Sequence, residues 1–473
     1  MAQTATDIRD LIRNDRTQPD SAAVAHVLAA TVFLGVGAIT GGIALLSMSF
    51  TGFLPLGYGL WRAIAMQCLV IGFATLAVIG GTYYVLPRLT GVRLWNEKLA
   101  WAGLALIAGT TALGLVVVGA GLGDGGEPFA LPWWLDLALL AGLGIPPLVA
   151  LQTVRHRTEH RTYVTVFYVV TGLAALPLLY LAGNVPAVEP VASVIGDFFF
   201  SSAYPVILLL IAIGLVHYAV VKQTERPLAG RQLTQIGYWS LIFGAGWFGI
   251  AQLAGGPIPG WLGAVAAVLG LGFPVGMVAS GASLFSTLEG SWRRTEEPDP
   301  VAMLAVAGLA LGSVLAIMAS LAGFRSTANL VALTSFWEGI LLGLTLGAIP
   351  LLIGSVLIHA IPRMTGRSLF SAELARRVVK LTLYGTGGLI VFLVGGGLIT
   401  GYAWAGGAFT GAYAAIGEGW APASGPARVF LGLAAASGIV AVFGNLALAS
   451  LITRTLTRGT VTTQEILVTR EKP

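Results

Sequence analysis

Residues 217–261 read HYAVVKQTERPLAGRQLTQIGYWSLIFGAGWFGIAQLAGGPIPGW. The stretch holds the end of one apolar run, a basic turn, a second apolar run and a Gly- and Pro-rich exit closed by Trp261. The turn follows a pattern: an aromatic or His pair, a Lys or Arg, then a short polar loop that closes on a new apolar run. The same pattern recurs at 82–104 (TYYVLPRLTGVRLWNEKLAWAGL) and at 357–379 (LIHAIPRMTGRSLFSAELARRVV).

Working outward, the whole chain shares this character. Of 473 residues, 56% are apolar and 10% charged, and the mean hydropathy is +0.85. So few charges cannot solvate a water-soluble surface, which identifies a polytopic membrane protein. A bilayer core needs roughly 20 apolar residues per helix. Twelve such runs lie near 26–49, 59–86, 98–121, 132–153, 162–184, 200–221, 234–256, 261–286, 300–323, 335–361, 379–402 and 427–453. The expected organisation is a cytoplasmic segment 1–25, one all-α transmembrane domain 26–453 and a cytoplasmic tail 454–473. The polar start, DIRDLIRNDRTQPDS, does not match a cleaved leader.

Basic residues cluster in alternate loops, which stay cytoplasmic. Only Arg62, Arg325 and Arg428 fall on the other side, so both termini are expected inside. The net charge of +5 expresses this bias over separate loops and is no nucleic-acid patch. The single Cys68 excludes a disulfide framework and a Cys-rich metal site. Sixty-four glycines suit close helix packing in lipid. The recurring turns end runs 2, 6 and 10, a four-helix period that predicts three similar units about a pseudo-threefold axis.

The segment from Val221 to Trp292, together with runs 2, 4, 5 and 10, resembles the catalytic subunit of haem-copper oxygen reductases, most of all the C-family or cbb type. The resemblance rests on the order of the Lys-Gln turn with Arg-Pro, the Trp239-containing helix, Trp247-x-Gly249 and the downstream Pro259-x-Trp261. It implies a twelve-helix frame, two haems, a copper ion, terminal oxygen reduction and six histidine ligands, since neutral imidazole donates a ring nitrogen to iron or copper.

Counting from the shared turns, those ligand positions are vacated. The haem positions fall on Ala65, Ile340 and Leu342, and the copper positions on Ser201, Ala251 and Gln252. Run 7 and the far half of run 10 contain no histidine, and the tyrosine of the cbb type falls on Gly255 or close to it. No haem or copper is therefore expected. A void costs about 24 cal/mol per Å³, so the helices are expected to close in, with a lipid or quinone as the other way to fill the space.

Polar residues inside membrane helices default to function. Arg62, Gln67, Gln252 and Glu338 could line one polar pocket, or could each be satisfied separately. His26, His217 and His359, near the basic helix ends, are expected to be wetted by headgroups. His156 and His160 are expected in a solvated basic loop, and Glu289 and Asp299 in solvated turns. Met66 could ligate iron but is expected to pack.

The leading expectation is a cofactor-free pseudo-oxidase, a scaffold or partner-binding subunit of a respiratory electron-transfer complex. Its surroundings would be the lipid bilayer of a prokaryotic inner membrane and partner subunits, with no nucleic acid. The alternatives are a proton, ion, quinone or lipid-handling protein using the former cofactor cavity, and a genuine oxidase or nitric oxide reductase with unusual ligation.

Overall fold

The computed structural model describes residues 20–50, 56–124, 128–188, 191–253, 258–289, 299–332, 334–409 and 413–460, with side chains excepted over 404–424. Inside a hydrocarbon layer every backbone polar group needs a partner within its own segment, so the apolar runs become helices. Eleven described helices are long and apolar enough to cross a membrane. They are α1 (Ser21–Ser49), α2 (Tyr58–Thr90), α3 (Glu97–Gly119), α4 (Trp133–Arg155), α5 (Val164–Gly183) and α6 (Val191–Thr224), followed after α7 by α8 (Gly260–Leu288), α9 (Pro300–Ala322), α10 (Ser335–Thr365), α11 (Ala372–Ala403) and α12 (Gly425–Arg458).

The seventh expected run is the exception. Helix α7 (Arg231–Gly244) has 14 residues, about 21 Å at 1.5 Å per residue and short of a hydrocarbon core of about 30 Å. It breaks at Ala245 and Gly246, whose φ is +91°, and resumes as a short turn, Trp247–Ala251. The broken segment packs closely on α6: a Cβ at Gly246 would stand 2.7 Å from the Phe198 ring, and one at Gly249 would overlap the Asp197 carbonyl. Position 255 lies outside the described residues, as do 1–19, 290–298 and 461–473, so Arg9, Arg13, Arg16, Arg293, Arg294, Arg470 and Lys472 fall there too, whereas Arg454 and Arg458 of the expected tail are described in α12. The first helix begins at Ser21 and the last ends at Arg458, so both reach beyond the expected 26–453 domain.

Three helices form the centre. The most apolar 18-residue window is 100% buried in α2 and α10 and 89% in α6, against 39–67% in the other eight spans. Those outer helices turn residues such as Val116, Leu137, Phe167, Val278, Val391 and Phe443 outward, forming an apolar girdle suited to lipid. Trp95, Trp133 and Trp261 stand exposed near helix ends, where an aromatic belt meets a membrane–water boundary.

The recurring turns match position by position. Thr90, Thr224 and Thr365 each donate to the carbonyl four residues earlier. The next residue, Gly91, Glu225 or Gly366, takes a left-handed φ of +71°, +53° or +65° and ends the helix. Arg88, Lys222 and Arg363 lie two residues before each threonine. One turn further into the bundle, Tyr84, Tyr218 and His359 meet edge-to-face, with ring centroids 6.3, 6.5 and 6.1 Å apart. Three equivalent positions on three central helices thus converge on one point, as an axis between them requires.

The three central helices share another feature. Each contains a π-helical stretch with widened turns: Gln67–Thr75 in α2, Asp197–Ala203 in α6 and Leu344–Ala348 in α10. Such stretches are rare and concentrate at functional sites.

Glu225 is exposed and is the non-glycine member of the three caps. Replacing Glu225→Gly removes its left-handed strain, so the variant is expected to be more stable by about 1 kcal/mol in a thermal or denaturant unfolding series in detergent. Gly91→Val at the matching position, where a Cβ would meet Thr158 Oγ1 at 2.6 Å, should lose at least as much.

Candidate functional site

Three of the positions expected to correspond to the family's metal ligands adjoin or lie within the π stretches, toward the end of the bundle opposite the basic turns. Ala65 and Leu342 stand two residues before the π stretches of α2 and α10, and Ser201 lies within that of α6. Ala65 and Leu342 line one cavity with Gly41, Tyr58, Arg62, Met66 and Glu338. Its volume is about 10 Å³, roughly the space of a single water. Ile340 is fully buried and Met66 is packed at 2% exposure in the main apolar core.

At the mouth of this cavity, Arg62 of α2 meets Glu338 of α10. Arg62 Nε donates to Glu338 Oε1 at 3.0 Å and Nη2 to Oε2 at 3.2 Å, a two-pronged pairing. Tyr58 Oη adds a donor to Oε1 at 2.8 Å. Both charged side chains are less than a fifth exposed, so water screens them poorly.

The other two members of the expected polar pocket lie elsewhere. Gln67 is buried and its Nε2 donates to the carbonyl of Phe129, in the segment before α4, while its Oε1 has no partner among the described residues. Gln252 follows the short turn Trp247–Ala251, half-buried. The structure therefore unites Arg62 and Glu338 and separates Gln67 and Gln252. Sequence spacing could not place them, because Arg62 and Gln67 share α2 while Glu338 lies on α10 and Gln252 follows the turn Trp247–Ala251, and only packing decides which of these segments touch.

The residues expected at the copper positions lie on two segments, Asp197–Ala203 and Trp247–Gln252, that pack on each other. Ser202 Oγ, next to Ser201, donates to the Gly246 carbonyl at 2.7 Å, which binds the start of α6 to the break after α7. Phe198 meets Trp247 edge-to-face at 5.3 Å. Ser201 Oγ donates to Asp197 Oδ1 at 3.2 Å, and Ala251 packs against Gly323, whose Cβ would lie 3.1 Å from it. Among the described residues no group of three or more His, Cys, Asp and Glu side chains is placed to hold a metal ion.

The basic end corrects the expectation for the histidines. His26, His217 and His359 are at most 1% exposed, enclosed by protein and not wetted by headgroups. His26 contacts Tyr83 edge-to-face at 5.1 Å and its Nδ1 is 2.7 Å from the Ala22 carbonyl. His217 contacts Tyr168 at 5.5 Å, and neither of its ring nitrogens has a partner among the described residues. They are buried because helices adjoining α2, α6 and α10 extend past the bilayer-sized runs and cover the turns. Arg88 pairs with Asp20 through two 2.8 Å bonds and lies 4.0 Å above the Tyr84 ring, while Arg363 donates to the His359 carbonyl.

His156, His160 and Glu289 are exposed as expected. Asp299 is not simply solvated: it caps α9 through the Ala302 N–H and accepts from Gln223 Nε2, each at 3.2 Å. Burial holds its carboxyl above the usual carboxylate range, with those bonds opposing the shift.

This all-helical bundle matches, over 95% of its length, a chain of a heme-copper terminal oxidase dimer solved by electron cryo-microscopy, covering 86% of that chain with a TM-score of 0.73 at 15% identity. The architecture is thus that of the haem-copper oxidase core. The chain belongs to the family Cytochrome C and Quinol oxidase polypeptide I, whose model matches residues 21–424. It is 26% identical over 343 residues to cytochrome c oxidase subunit 1 of Rhodobacter capsulatus, a match that covers 67% of this chain and 63% of the relative. It is 24% identical over 365 residues to the cbb3-type cytochrome c oxidase subunit CcoN1 of Stutzerimonas stutzeri, covering 73% and 75% of the two chains.

Breaking the Arg62–Glu338 pair leaves one charge mostly buried and uncompensated. Glu338→Gln is expected to destabilise the protein by about 2 kcal/mol, below the 3–5 kcal/mol of a fully buried pair because water retains some access. A double-mutant cycle with Arg62→Met should return a coupling of about 1–2 kcal/mol.

Proposed function

We propose that this protein is a cofactor-free member of its family, a pseudo-oxidase that serves as a membrane scaffold or partner-binding subunit of a respiratory electron-transfer complex in a prokaryotic inner membrane. The observation that carries the reading is the Ala65–Leu342 cavity. Neither side chain has a donor atom for iron, and about 10 Å³ does not fit a porphyrin. At the copper positions, Ala251 offers no donor and the Ser201 hydroxyl and Gln252 amide are weak ligands beside imidazole. The residues at these positions therefore do not fit the family's metal centre.

In the same reading the broken α7 counts as a twelfth crossing, and the basic turns lie in the cytoplasm with both termini. A role in carrying ions or quinone through the former haem space has less support, because Arg62 and Glu338 neutralise each other while Gln67 and Gln252 lie apart. Genuine oxygen or nitric oxide reduction would require ligands at other positions, and the buried histidines stand at the opposite end.

The test is an absorption spectrum with metal analysis on the full-length protein purified from its native membrane. The expected result is haem and copper far below one per chain, together with co-purifying subunits. One haem per chain would overturn the reading, as would recovery of the protein without any partner.

A further inference from the structure

At the end that carries the basic turns, the loops joining α2 to α3 and α4 to α5 lie side by side. The Thr158 and Glu159 N–H groups donate to the Thr90 carbonyl at 3.0 and 3.4 Å, and the Trp95 N–H donates to Thr153 Oγ1 at 3.1 Å. These bonds fix the two loops against each other. Arg93, Lys98, Arg155, Arg157 and Arg161 are all exposed on them or at the adjoining helix ends, with Glu97 and Glu159 as the carboxylates of the same segments. Helix α5 also starts in this loop without a side-chain cap, which adds the positive end of its dipole.

Other cations at this end are engaged by the protein itself. Arg88 pairs with Asp20, Arg363 bonds to Gln223, and Arg376 and Arg377 pair with Glu373. The ion pairs among the described residues involve none of the five cations of the two loops. Toward the middle of the bundle the same surface turns apolar within one helical turn. Leu151 lies four residues before Arg155 on α4 and Phe167 four residues after Tyr163 on α5, both exposed, and Trp95 and Tyr163 stand exposed among the cations.

We infer that this patch binds the headgroup phosphate of an anionic phospholipid whose acyl chains lie along α4 and α5. Clustered basic side chains beside a bilayer attract anionic lipids, and guanidinium groups grip phosphate oxygens in two-pronged pairs. Trp and Tyr rings mark the depth at which headgroups sit. A free phosphate or an acidic protein segment would engage the cations alone, whereas Leu151 and Phe167, one turn away, match the chains of a lipid. The patch shares no residue with the Ala65–Leu342 cavity and lies at the opposite end, so its test does not depend on the absence of haem.

The test is native mass spectrometry of the full-length protein in detergent, titrated with dimyristoyl phosphatidylglycerol or with dimyristoyl phosphatidylcholine, which has the same chains and no net charge. Wild type is expected to bind the anionic lipid about tenfold more tightly. The combined change Arg155→Gln, Arg157→Gln and Arg161→Gln, all at exposed positions, should cut that preference to about twofold or less. Arg376→Gln with Arg377→Gln, at the same end but paired with Glu373, should keep it. Gel filtration and circular dichroism establish that each variant is folded. The inference is overturned if wild type shows no preference, if the folded triple variant keeps it, or if the Arg376 and Arg377 changes abolish it equally. It is also overturned if inorganic phosphate or polyglutamate displaces the bound lipid at matched concentration, which would mark a site for a free anion or for an acidic protein.

Discussion

Helices that never face lipid cannot be held together by expulsion of water, since the surrounding acyl chains are as apolar as their own side chains. The bundle therefore depends on specific contacts between α2, α6 and α10, and the ring triad Tyr84, Tyr218 and His359 is where all three meet. Each ring presents an edge to a neighbour's face, the arrangement favoured by the quadrupoles of aromatic groups. The flanking basic side chains Arg88 and Arg363 bond back to the carbonyls of Tyr84 and His359, so the same triad that closes the core also ends the helices.

At the other end the central helices are joined differently. In the family this chain resembles, haem ligands on helices 2 and 10 place a cofactor between those two helices. Here a salt bridge between Arg62 and Glu338 connects them, and alanine and leucine close the space beneath it. The contact is directional and partly solvated, and the cavity beneath it is small.

The membrane class and the recurrence of the three turns were legible in the sequence, because each rests on local chemistry: apolar length, and a basic residue followed by a short polar loop. The pairing of Arg62 with Glu338 was legible only as membership in a group of four. Gln67 reaches Phe129 because α3 and α4 pack beside α2, which no local pattern records. The buried histidines were misplaced for a similar reason. Position along a helix gives depth, but not which neighbours extend far enough to cover it. The interruption of the seventh run had a local signal, Gly244, Gly246 and Gly249, whose meaning depended on the close approach of α6.

The π-helical stretches have a further effect on the geometry of the three central helices. Every additional residue accommodated in a helix turns all that follows by about 100°. Each stretch thus acts as a phase adjuster between the two ends of its helix: it sets the rotation at which the far end, with Ala65, Ser201 and Leu342, is offset from the end that carries the ring triad. Shortening one stretch by a single residue would swing Tyr84, Tyr218 or His359 out of the axis while leaving helix length nearly unchanged. The two ends of the bundle are therefore indexed to each other, so a change of side chains at one end need not disturb the alignment that holds the other together.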